Sequence, residues 1–150
     1  MPRYTDRDLV LLRNRMGENL PVPKARKQRD PNVPTESQSQ CALIRWWSLA
    51  CVGVRVPEHL LMAIPLQAAR SQKNGARMKS EGARKGTLDL FLAVSRKGAS
   101  GLWLEMKTPT GRIALEQQVM IDSLRREGYT VEVCRSTGDA IYAITQYMKP

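Results

Sequence analysis

Asp89, Glu105 and Lys107 are spaced so that one short hairpin brings them together. If the chain turns symmetrically at Lys97, Asp89 lies directly opposite Glu105, with Cβ atoms roughly 4.5–5.5 Å apart. Strand alternation then puts Lys107 on the Glu105 face and sends Leu102, Leu104 and Met106 to the other side with Leu88, Leu90 and Leu92. Opposed carboxylates destabilise a strand pair unless a cation neutralises them. Lys107 brings one positive charge against two negative ones. The remainder suits Mg²⁺, which prefers oxygen ligands and keeps waters that a phosphate can displace. A metal held there would polarise a phosphoryl oxygen, while Lys107 would orient a nucleophile or stabilise developing charge. The same three residues would also suit the solvated side of a half-exposed sheet. The charge of the whole chain and the polar residues on its helix core faces favour chemistry.

The 150 residues suffice for one domain with a real core. Lys and Arg number 24 against 14 Asp and Glu, a net charge of +10, so a polyanion is the natural partner and nucleic acid fits best. No long apolar run or strongly amphipathic basic helix anchors the chain to a membrane. Charges interrupt the apolar stretch of the N-terminal MPRYTDRDLVLLRNRM, which is therefore not a secretory signal, and a cytoplasmic location, in a cell or an infected host, is expected. Cys41, Cys51 and Cys134 are odd in number and widely spaced, which disfavours disulfides and a cysteine zinc site. His59 is the only histidine, so no histidine-rich metal site can form. Any chemistry rests on carboxylates and lysine.

The elements that must position these groups follow from periodicity and punctuation. A helix is expected over Thr5–Met16, then an extended basic connector with Pro21, Pro23, Pro31 and Pro34, which sets residues 1–33 apart from a domain of residues 34–150. Thr35 to Gln38 match a capping box, opening a helix to about Cys51 with the inward stripe Leu43, Ile44, Trp47 and Cys51. Helical steps backwards along that stripe land on Gln40 and then Glu36. Leu60–Leu66 reads as a strand that Pro65 confines to an edge or cuts short. Arg70, Lys73, Arg77, Lys79, Arg84 and Lys85, with Glu81 the lone acid among them, form a candidate phosphate-binding segment. Strands Leu88–Ser95 and Leu102–Lys107, a helix over Ala114–Glu127, strand Thr130–Cys134 and a helix from Ser136 or Thr137 to Met148 complete the chain. The order implies an α/β sandwich around a mixed sheet. Gln117 falls on the Met120, Ile121 and Leu124 face, where an amide needs a partner.

Asp89 followed by Glu105-Met106-Lys107 resembles the PD-(D/E)xK nuclease signature. The ordered series Gly82 to Leu90, Gly101 to Thr108, Gly111-Arg112, Glu116-Gln117 and Gly128-Tyr129 is similar, more specifically, to the virus-type replication-repair nuclease (VRR-NUC) domain, over about Thr35 to Met148. This resemblance implies a restriction-endonuclease-like core in αβββαβα order. It also implies Mg²⁺ or Mn²⁺ held by Asp89, Glu105 and the backbone carbonyl of Met106, with Lys107 as the catalytic lysine. Glu36 matches the acid of the family's first core helix, and Gln117 its glutamine. Leu88 stands where the family often has Pro, and Leu66-Gln67 where an Asn-Glu pair is common. By resemblance, the expected activity is that of a homodimeric endonuclease of branched DNA, of the Holliday-junction-resolving kind. The alternatives are a flap or single-strand endonuclease, or a DNA-binding module that lost catalysis.

Overall fold

Helix α1 (Glu36–Gly53) starts at the expected cap. The Thr35 hydroxyl accepts from the Gln38 N–H at 2.8 Å, and Gln38 Oε1 accepts from the Thr35 N–H at 2.8 Å, which satisfies two end donors reciprocally. The computed structural model describes residues 30–64 and 77–150. The expected helix Thr5–Met16, most of the basic connector, Pro65, Leu66-Gln67, Arg70 and Lys73 lie outside the described residues. The described elements fall in the compact unit Asn32–Pro150.

After α1 come β1 (Leu61–Ala63), β2 (Leu90–Leu92), β3 (Leu102–Met106), α2 (Leu115–Arg126), β4 (Thr130–Cys134) and α3 (Thr137–Met148). The sheet runs β1-β2-β3-β4, antiparallel at its first two pairings and parallel between β3 and β4. It is a mixed sheet flanked by helices, in the αβββαβα order. β1 is shorter than the expected strand and lies at a sheet edge.

Each face of the sheet has its own core. On one, Leu43, Trp47 and Cys51 of α1 and Ala140, Ile144 and Tyr147 of α3 pack on Leu90, Leu92, Leu102, Leu104 and Met106. On the other, Ile121 of α2 meets Val131 and Leu88, with Trp103 and Val133 beside them. Leu88 therefore departs from the expected alternation with Leu90 and Leu92. Strand pairing starts only at Leu90, Asp89 sits in a bend, and period-two alternation does not pass backwards through a bend. Trp47 anchors the first core, 2% exposed, with its indole N–H donating to the Glu58 carbonyl at 2.9 Å. Trp47→Ala is expected to cost about 3–5 kcal/mol, read as a lower midpoint in denaturant unfolding.

The hairpin turns differently from the expected symmetric form yet keeps its pairing. Its tip is Lys97-Gly98, both at positive φ (51° and 79°), a conformation that matches strand twist in two-residue turns. Arg96 bridges Ala99, while Leu92 pairs with Leu102, so the β2 side carries one more residue than the β3 side. That extra residue within 93–95 offsets the displaced tip. Leu90 still meets Leu104, and one further step in the same register sets Asp89 opposite Glu105.

Candidate active site

Glu105 occupies the fourth position of β3, on the face that carries Trp103 toward α2. It is only 1% exposed, and a carboxylate so far from water needs partners. Its Oε1 accepts from Lys107 Nζ at 2.7 Å and also from Gln117 Nε2. Its Oε2 is buried and has no hydrogen-bond partner, a condition shared among the described side chains only by Trp103 Nε1.

The neighbouring groups are fixed by main-chain contacts. Half-buried Asp89 accepts from the Met106 N–H through Oδ2 at 2.9 Å, which draws its carboxylate onto the β3 backbone. Glu36, in the first turn of α1, accepts from the Thr108 N–H at 3.3 Å. Gln117 accepts from the Ala114 N–H at 3.1 Å, so its amide oxygen is occupied and its NH₂ must point to Glu105. Glu36, Asp89, Glu105, Lys107 and Gln117 are thus brought together from two helices, strand β3 and the residues that flank β2 and β3.

Burial is the main reason that the Asp89 carboxyl titrates above its ordinary range, and the Glu36 charge adds to it, while the Met106 N–H and Lys107 oppose it. Burial likewise raises Glu105, helped by the Asp89 charge and opposed by Lys107 and Gln117. Two carboxyls that each resist ionisation, beside a bare buried oxygen, form a donor set that fits a hard cation. Among the described residues no three His, Cys, Asp or Glu side chains form a ready cage. A cation here would therefore be held by two carboxylates, with a main-chain carbonyl and water completing its shell. That composition suits Mg²⁺ better than Zn²⁺.

The basic segment is divided. Lys79, Arg84 and Lys85 are exposed, whereas Arg77 Nε donates to Glu81 at 2.7 Å, which discounts it as a free cation. Cys134 is buried and its thiol pushed up to about 12, chiefly by desolvation, so it is no nucleophile. His59 is exposed in the 3₁₀ turn Glu58–Leu60. A groove of about 530 Å³ lined by Lys97, Glu132 and Tyr142 contains none of the five converging residues. No helix among the described residues is long and apolar enough to cross a membrane.

Two residues that shape the site were not singled out by sequence reasoning. Gly86, at φ +82°, lies so close to α2 that an added Cβ would come within 2.2 Å of the Glu116 carbonyl oxygen and 2.8 Å of the Gln117 nitrogen. Its only sequence signal was its place in the glycine series. Arg135 donates to the carbonyls of Thr108, Pro109 and Gly111, bracing the loop behind Lys107. Nothing in its local sequence marks it.

Comparison with known proteins bears on this geometry. A family model of the VRR-NUC domain matches residues 34–138. A solved structure named VRR_NUC domain protein superposes with a TM-score of 0.63 at 22% identity, covering 78% of this chain and 90% of that one. At that identity the likeness establishes the fold. No curated protein matches the chain.

Proposed function

The chain belongs to the VRR-NUC domain family of nucleases, and from that premise we propose that it hydrolyses DNA phosphodiesters in a reaction that requires Mg²⁺ or Mn²⁺. The observation that carries the proposal is Glu105, buried with Oε1 shared by Lys107 and Gln117 and Oε2 left without a protein partner. Asp89, Glu105 and the Met106 backbone carbonyl would hold the cation. Once bound, it would supply Lewis-acid polarisation of the phosphoryl group and make water a better nucleophile.

The chain's own residues do the rest. Lys107 sets its Nζ 2.7 Å from Glu105, beside the place where phosphoryl charge would develop. Gln117 locks the Glu105 rotamer, so that Oε2 rather than Oε1 is presented. Glu36 holds the Thr108 N–H and with it the chain that follows Lys107. Exposed Lys79, Arg84 and Lys85, with the net charge of +10, would hold DNA through phosphates without reading sequence.

The preferred substrate in this reading is a four-way junction, cut by a homodimer that sets two sites on one branch point; a flap or single-strand endonuclease is the runner-up. The test is a panel of four-way junction, flap and linear duplex with Mg²⁺, Mn²⁺ or EDTA. Metal-dependent cutting that favours the junction is the expected outcome. Cutting that persists in EDTA refutes the metal reading, and a flap preference replaces the junction. Sedimentation at the assay concentration checks the dimer, and an active monomer dismisses it.

A further inference from the structure

Arg135 directly follows β4. The parallel register pairs Glu105 with Val133 and Met106 with Cys134, so one further step sets Arg135 beside Lys107. The strands are still joined there, since the Lys107 N–H donates to the Cys134 carbonyl at 2.8 Å. Arg135 itself lies in a bend past the strand end, so what ties it to this end of the sheet is that backbone bond and the contacts of its side chain with the loop that follows Lys107.

Its side chain is both held and open. Nη1 donates to the carbonyls of Thr108 at 3.3 Å, Pro109 at 3.2 Å and Gly111 at 2.7 Å. The Arg135 backbone N–H donates to Asp139 Oδ2 at 2.9 Å, so that this carboxylate is engaged by the main chain. The residue is nonetheless exposed, and among the described residues Nε and Nη2 have no hydrogen-bond or ion-pair partner. A guanidinium carries five N–H donors in a planar fork. One branch braces a loop, and the other edge faces solvent with its orientation already fixed.

Charge explains why a second cation is needed. A divalent cation and Lys107, 2.7 Å from Glu105, would together only balance Glu36, Asp89 and Glu105, which leaves no surplus positive charge for a neighbouring phosphate. We propose that Arg135 is a phosphate-binding residue of this site, holding a DNA backbone phosphate next to the one that is cut. The proposal rests on the DNA-cleaving reading above. The three carbonyl contacts order the side chain before binding, which lowers the entropy lost when the phosphate arrives.

The test is binding of the full chain to a labelled four-way junction in Ca²⁺, over 50–200 mM salt, with R135Q and R135K beside the wild type. R135Q removes the charge and is expected to lower the slope of log K against log salt by about 0.9, with affinity down roughly tenfold or more. R135K keeps the charge and is expected to keep the slope. The slope does not depend on the folded fraction of a sample, so partial misfolding cannot imitate the result. A residue that only braces the loop would lose kcat in both variants and leave both slopes unchanged; an R135Q slope equal to the wild type's overturns the proposal. A wild type that fails to retain the junction at any salt concentration overturns it together with the functional reading, whereas retention with a changed R135Q slope but no cutting in Mg²⁺ overturns that reading alone.

Discussion

Asp89→Asn is expected to abolish cleavage while making the metal-free chain more stable. The asparagine side-chain oxygen can still accept from the Met106 N–H, now made at 2.9 Å, so the local fold is kept. What disappears is a negative charge that a cation would need. Removing that ligand should slow metal-dependent cleavage at least about a thousandfold, equivalent to roughly 4 kcal/mol of barrier. Stability moves the other way because burial raises the Asp89 carboxyl above its unfolded value of 3.8. The folded chain then holds that proton more tightly than the unfolded one, so stability falls as pH rises from the unfolded value into the raised range. Asparagine has no such loss. Thermal melts of the two proteins in EDTA should coincide at acid pH, and the variant should pull ahead as pH rises past 3.8 toward neutrality. Added Mg²⁺ should then raise the melting temperature of the wild type and not of the variant. A variant less stable than the wild type at neutral pH in EDTA would contradict the strained carboxylate pair.

Gly86→Ala is expected to damage activity as well as stability, though it touches none of the five converging side chains. Two effects combine at this position: φ of +82° disfavours any Cβ, and the added Cβ would press on the backbone of Glu116 and Gln117. Together they should cost roughly 2–5 kcal/mol. The first turn of α2 must yield, because its atoms there are main chain and cannot rotate away. Gln117 then withdraws from Glu105, whose carboxylate is freed to turn Oε2 toward Lys107 or solvent. A displacement on the order of 1 Å near reacting groups can cost about a hundredfold in rate. Cleavage measured well below the melting temperature separates the two effects. Activity that tracks only the folded fraction would show that Gly86 is a packing residue and nothing more.

Much of the frame is legible from local rules. The Thr35 cap, the α1 stripe through Leu43, Trp47 and Cys51, strand Thr130–Cys134 and the hairpin register that pairs Leu90 with Leu104 follow from periods of 3.6 and 2 and from turn residues. The same rules fail where their assumption does. Leu88 changes face because the chain bends at Asp89, and the hairpin tip shifts to Lys97-Gly98, a change that an extra residue conceals. The helical period puts the Gln117 amide on an apolar face, but a helix by itself does not say which carboxylate it meets.

The opening constellation of Asp89, Glu105 and Lys107 was thus set by sequence alone, since a hairpin's register depends on residues close together in the chain. Only tertiary structure decided that Glu105 is buried, that Lys107 and Gln117 share one of its oxygens and leave the other bare, and that Gly86 and Arg135 fix the parts around it. Those outcomes depend on distances between α2, β3 and β4. Packing sets such distances through side-chain volumes summed over both cores, and no local spacing along the chain records that sum.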